Sequence, residues 1–211
     1  MKRGRLIFGV SLTLGAIWLL ERMRQRSVIH NGCIFPISVP RITLVFARAG
    51  GHEIYNPRNL HKGIDCAHFA GGGAEGKPVR SALGDGTVLY SAWSDSYGNY
   101  VAVEHTLNHT WYARTLTGET VAMPANVPFF LVYAHLKTRS VNTGDTLETG
   151  QQIGLLGNTG ISSAPHLHFE IRRGRFWEQN VVDPEDLFHA WLVGYKSSVR
   201  YKEGAKAPKA A

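Results

Sequence analysis

The sequence predicts a mainly β domain with a hydrophobic helix at its N-terminus, and three observations predict it. Glycine accounts for 23 of the 211 residues, above the usual share of ~7%, and that excess suits turns and strands more than long helices. From residue 33 onward, short apolar alternations are separated by Gly-containing turns, with no sustained 3.6-residue period. The exception is Leu6 to Leu20, LIFGVSLTLGAIWLL, an uncharged apolar run.

That run comes first in the chain. Lys2, Arg3 and Arg5 precede it, and Glu21, Arg22, Arg24 and Arg26 follow it, so residues 1 to 26 are expected to form a membrane anchor or a signal segment. Its 15 residues fall short of the ~20 of a spanning helix and match a signal-peptide core, yet no A-x-A cleavage site follows. An uncleaved anchor is the first reading, a removed signal peptide the second and a buried core helix the third. Basic residues on both flanks leave orientation open.

Beyond it lies a body of ordinary globular composition, 44% hydrophobic and 18% charged, in a chain of 23.3 kDa, enough for one well-buried domain. We place that domain at residues 33 to 192. The two termini carry +5 (residues 1 to 26) and +4 (residues 196 to 211) of the net +7, which leaves −2 for the body. A core of that sign has no excess of cations to neutralise a phosphate backbone, so nucleic-acid binding is disfavoured. Cys33 and Cys66 are the only cysteines; no disulfide framework supports the fold, and one bridge between them is permitted if the body is exported.

Strands are expected at Thr87 to Ala92, Tyr100 to His105, Phe129 to Leu136, Gln152 to Leu156 and His166 to Arg172. Turns are expected at Gly84-Asp85-Gly86, Ser96-Tyr97-Gly98-Asn99, Thr143-Gly144-Asp145 and Gly157-Asn158-Thr159-Gly160. Residues 106 to 128 are too long for a plain connection and should carry a hairpin around Thr117-Gly118, with residues 110 to 128 forming an inserted lobe near the cleft. Residues 196 to 211, ending GAKAPKAA, read as a solvated basic tail.

Chemistry concentrates at five positions: His61 and Asp65 in HKGID, His135 in VYAHL, and His166 with His168 in PHLHFE. Side chains two apart on a strand share a face, so His166 and His168 project together while Leu167 and Phe169 enter the core. An extended HKGID puts His61 and Asp65 on one side in the same way. Imidazoles and a carboxylate suit zinc, and three such ligands leave a fourth position for water, the arrangement of a hydrolytic site. Glu170 shares the face of His168 and either orients a ligand imidazole or is an ordinary surface glutamate. The remaining histidines, His30, His52, His68, His105, His109 and His189, have no such partners, although His68 and His105 border expected strands.

On these residues the sequence resembles the lysostaphin-type zinc metallopeptidases, whose LytM-like domains cleave peptidoglycan cross-bridges. HKGIDCA resembles their HxGxD segment, GKPVRSALGDGTV the strand-turn-strand after it, YGNYVAVEH and VYAHL the central strands, and TGDTLETGQQIGLLGNTGISSAPHLHFEIR the C-terminal signature. Phe35-Pro36-Ile37 resembles the usual opening, and the likeness covers roughly residues 34 to 190. It implies an antiparallel β-sheet sandwich of lysostaphin/LytM type with a duplicated hybrid motif. It also implies one zinc ion held by His61, Asp65 and His168, with His135 and His166 working beside the metal. Two departures stand out: the long stretch between His105 and His135, and a longer, Gly-rich HFAGGGAEGKPV loop.

The function implied is a zinc-dependent endopeptidase acting on peptidoglycan stem-peptide cross-links. Its place would be the cell envelope, either anchored in the inner membrane through Leu6 to Leu20 and facing the periplasm, or secreted. One alternative is a non-catalytic wall-binding or hydrolase-activating module of the same fold; another is a peptidase for other small peptides. The residues do not say which of His135 and His166 is the general base, nor the oligomeric state.

Overall fold

One long strand organises the molecule. In this computed structural model, which describes residues 32–38, 40–47, 60–68, 75–176 and 180–191, the chain forms β1 (Pro40–Leu44), β2 (Ile64–His68), β3 (Pro78–Arg80), β4 (Gly86–Ser94), β5 (Gly98–His105) and β6 (Trp111–Arg114). There follow β7 (Thr120–Met123), β8 (Phe129–Arg139), β9 (Thr146–Leu147), β10 (Gln152–Leu156), β11 (Leu167–Arg173), β12 (Val181–Val182) and a short helix, α1 (Pro184–Trp191). Ten strands make one connected sheet in the order β1-β2-β11-β8-β5-β4-β9, with β12 beside β11 and β10 joining β3 to β8; β6 and β7 form a separate hairpin. Every pairing is antiparallel. All five expected strands are present, β4, β5 and β8 running longer than expected and β11 running from Leu167 to Arg173, with His166 held just before it by a bridge to Gly157.

The first half of β8 lies between β5 and β11, and its second half pairs with β10. The change of partner coincides with a bulge. Tyr133 pairs with Val101 and Leu136 with Asn99, so three steps along β8 match two along β5. The apolar residues of β8 and β11 fill the interior: Leu131, Tyr133, Leu136, Leu167, Phe169 and Ile171 are all fully buried. Tyr133 remains tolerable there because its hydroxyl accepts a hydrogen bond from the Ala82 N–H at 2.8 Å. Cys33 and Cys66 are both buried and both free thiols, so the bridge permitted by the sequence is not made.

Within the stretch expected to form a lobe, β6 and β7 pair as an antiparallel hairpin, Trp111 opposite Met123 and Arg114 opposite Thr120. It leaves the sheet where β5 ends and β8 begins, with Trp111 packed edge-on against Phe129. It is fastened to the start of α1: the Arg114 guanidinium donates to Asp183 at 2.7 Å and to both carboxylate oxygens of Asp186, and the Asp186 side chain also accepts the Arg114 N–H at 2.8 Å. Asp183 caps the helix as well, accepting the Glu185 N–H at 2.9 Å ahead of Pro184 in the first turn. Phe129 is six residues from His135 along β8, about 20 Å at ~3.3 Å per residue. Among the described residues no helix is long and apolar enough to cross a membrane. Leu6 to Leu20 and the tail 196 to 211 lie outside those residues, as do His30 and His52.

Candidate metal centre

β2 and β11 lie side by side, with Asp65 opposite His168 in register. His61 precedes β2, and the three side chains converge. His61 Nε2 lies 3.1 Å from Asp65 Oδ1 and 3.1 Å from His168 Nδ1, and His168 Nδ1 lies 2.8 Å from Asp65 Oδ1. Among the described residues this is the one cluster of three such groups able to hold a metal ion. Each imidazole is fixed from behind. His61 Nδ1–H donates to the Val45 carbonyl at 3.0 Å, and His168 Nε2–H donates to Glu170 Oε1 at 2.9 Å. The nitrogens turned toward the common point are therefore Nε2 of His61 and Nδ1 of His168, and two imidazoles with a carboxylate form a donor set that fits zinc.

His135 and His166 complete the constellation. Their ring centres are 4.7 Å apart, and that of His135 is 5.8 Å from that of His168. His135 occupies the β8 bulge with φ near +60°, a left-handed conformation uncommon for a non-glycine residue and concentrated at functional sites. The turn removes its backbone from the ladder, and its N–H donates instead to the Tyr97 carbonyl at 2.8 Å. Its ring Nδ1–H donates to the Thr159 carbonyl at 2.8 Å, which leaves Nε2 as the unprotonated nitrogen. His166 Nδ1–H donates to the Ala164 carbonyl at 2.7 Å, and Nε2 stands 3.5 Å from Asp65 Oδ1.

Both loops that serve His135 depend on glycine. A Cβ on Gly98 (φ near +63°) would lie 2.3 Å from the Thr159 carbonyl carbon, and one on Gly160 (φ near +74°) would lie 2.2 Å from the Gly98 nitrogen. The turns at residues 96 to 99 and 157 to 160 can therefore interlock only because each lacks a side chain there.

Electrostatics separates these groups. Burial opposes ionisation of Asp65, but hydrogen bonds from His166, His168 and His61 hold its carboxyl well below the usual carboxylate range. Burial likewise disfavours a charged His168, yet the hydrogen bonds to Asp65 and Glu170 push it up to about 9. His135 is moved the other way, down to about 4, by burial and then by the neighbouring His166. At neutral pH it is an uncharged imidazole able to accept a proton.

Glu170 is not a surface glutamate: it is 1% exposed, and burial notwithstanding, its bonds to His168 and the neighbouring Arg172 hold its carboxyl at about 2. Arg172 and Tyr97, which also bind it, were not singled out from sequence. The H-x-H-x-E-x-R alternation in residues 166 to 172 carried a signal for Arg172, whereas Tyr97 looked like a turn residue only. His105 is buried far along β5, paired with Phe129, while His109 and His189 are exposed. None of these three joins the cluster, and the side chain of His68 lies outside the described residues.

Residues 107–184 match the model of peptidase family M23, a stretch that contains His135, His166 and His168. The chain is 30% identical over 174 residues to the peptidoglycan DD-endopeptidase ShyC of Vibrio cholerae, covering 80% of this chain and 35% of that protein. Among solved structures, a zinc-containing peptidase from Vibrio cholerae superposes with a TM-score of 0.52 at 27% identity, over 73% of this chain and 39% of the other. The antimicrobial peptidase lysostaphin of Staphylococcus simulans shares the fold, with a TM-score of 0.55 at 23% identity over 76% of this chain and 54% of the other. The chain spans about a third of the length of the first curated relatives it matches.

Proposed function

We propose that this chain, which belongs to peptidase family M23, is a zinc-dependent endopeptidase that hydrolyses stem-peptide cross-links of bacterial cell-wall peptidoglycan. The observation that carries the reading is the convergence of His61 Nε2, Asp65 Oδ1 and His168 Nδ1 within hydrogen-bonding distance of one another beside two further histidines. His61, Asp65 and His168 are the residues that would hold the ion. Zinc, when bound, supplies Lewis-acid chemistry, lowering the pKa of water toward ~7 and polarising the scissile carbonyl.

The chain's own side chains do the rest. His135 is neutral, with Nδ1–H fixed on Thr159, so its Nε2 is the proton acceptor for the attacking water and later the donor to the leaving amine. His166, whose Nδ1–H is tied to the Ala164 carbonyl, faces the same point and, when both ring nitrogens carry protons, donates from Nε2–H to the developing oxyanion. In this reading residues 33 to 192 are the metallopeptidase domain of lysostaphin-type sandwich, residues 1 to 26 its anchor or signal segment and residues 196 to 211 a solvated tail. The protein then acts in the cell envelope, which fractionation of cells carrying the full chain would check: recovery in the cytoplasmic fraction contradicts it.

Purified full-length protein should contain one zinc per chain and cut cross-linked muropeptides in isolated wall sacculi, with loss of cutting on chelation and recovery on zinc addition. Zinc uptake beside untouched sacculi would move the substrate to other small peptides. Absence of both zinc and cutting would make the chain a wall-binding or hydrolase-activating module.

A further inference from the structure

Tyr97 takes no part in the chemistry above, yet its hydroxyl lies between one oxygen of Glu170 and one arm of Arg172. It donates to Glu170 Oε1 at 2.6 Å and accepts from Arg172 Nη2 at 2.5 Å. Arg172 reaches Glu170 with one arm only, Nε to Oε2 at 2.7 Å, and its Nη1 is spent on the Phe176 carbonyl at 2.8 Å. An arginine beside a buried carboxylate ordinarily closes both arms of its fork on the two oxygens. Here the hydroxyl occupies the second arm, and Oε1 stays directed at His168 Nε2–H.

The tyrosine is itself pinned. Its N–H donates to Ser94 Oγ at 3.1 Å, its carbonyl accepts the His135 N–H at 2.8 Å, and its ring stacks over His168 with centres 6.0 Å apart and planes 24° from parallel.

We propose that Tyr97 is a positioning residue for the metal centre: by holding Arg172 to one-armed contact with Glu170, its hydroxyl keeps a carboxylate oxygen on His168 and so keeps His168 Nδ1 turned to the ion. The inference rests on the reading of His61, Asp65 and His168 as metal ligands. Arg172 then has two possible effects on the site, orienting when Tyr97 is present and competing for Glu170 when it is not.

The test is a zinc competition titration against a chromophoric chelator on four full-length proteins: wild type, Tyr97→Phe, Arg172→Lys and the double variant. Tyr97→Phe is expected to bind zinc ~10- to 100-fold more weakly, the range for loss of a group that orients a ligand. The double variant should recover part of that loss, because lysine has no second arm to take Oε1. A role in folding alone gives losses that add, so a double variant weaker than Tyr97→Phe overturns the proposal. So does wild-type affinity in Tyr97→Phe beside a zinc-binding wild type, or a metal-free Tyr97→Phe with no cooperative thermal transition. Wild-type protein that takes up no zinc overturns the ligand assignment and this inference with it.

Discussion

His168 at the start of β11 and His105 at the end of β5 are both almost fully buried, and their surroundings treat them in opposite ways. His168 has both ring nitrogens engaged by carboxylates, Nδ1 on Asp65 and Nε2 on Glu170, and is pushed up to about 9. His105 gives Nδ1–H to the Gly84 carbonyl at 3.3 Å, while its Nε2 has no hydrogen-bond partner. Burial pushes it down to about 4. A buried imidazole is therefore not by itself a mark of chemistry; the charge of its neighbours decides whether it can hold an ion or only fill space.

The sharpest break of this contrast comes from removing each ring. His168→Ala is expected to lose bound zinc and to fall to background activity, since two protein donors hold the ion poorly against water, whereas His105→Leu should keep a full zinc complement. Elemental analysis of the purified variants decides it, and a zinc-replete His168→Ala would remove His168 from the ligand set. A smaller effect separates ligands from the histidines beside them. His135→Ala and His166→Ala should retain zinc and lose ~10²- to 10⁴-fold in kcat. A metal-free variant of either would make that histidine a ligand.

The smallest effect concerns stability. The pKa of His105 is lower folded than the ~6.5 of an unfolded chain, so the unfolded state takes up the proton first as pH falls. Its contribution is complete above pH ~6.5 and is lost on the way down to about 4, a total of about 3 kcal/mol. Asp183 works in the opposite sense, since burial and then Asp186 push its carboxyl up to about 7, so the comparison must be between proteins. Between pH 7 and 4, His105→Leu should gain about 3 kcal/mol on the wild type in chemical unfolding. A difference that does not change with pH would show that His105 titrates normally.

The same two ends show what was legible beforehand. The alternation of residues 166 to 172 marked one polar face and one core face: Leu167 and Phe169 are buried in the core as read, and Glu170, which alternation alone left open to solvent, is buried against His168. The turns at Asp85, Gly98, Gly144 and Gly160 were equally readable, because positive φ demands particular residues. Neighbours were not readable. Alternation says which side of a strand a residue takes but not which strand lies beside it. Hence residues 111 to 123 could be expected as a hairpin, yet its fastening by Arg114 to Asp183 and Asp186, some seventy residues further on, could not. The helix α1 has a clear Asp-Pro-Glu-Asp start, but its eight residues are too few for a periodicity to emerge.

The bulge at His135 also acts as a change of phase written into β8. Before it the interior is met at Leu131 and Tyr133, and after it at Leu136, so odd positions give way to even ones within a single strand. Deleting one residue there would restore an unbroken rhythm and relieve a strained φ, producing a more regular β-strand. It would leave the facing of Leu136 and the residues after it unchanged, but it would withdraw His135 from its place beside His166 and His168. At this point in the chain a regular strand and the placement of His135 are mutually exclusive, whereas a change of length in the β6–β7 hairpin comes before β8 begins and leaves its phase untouched.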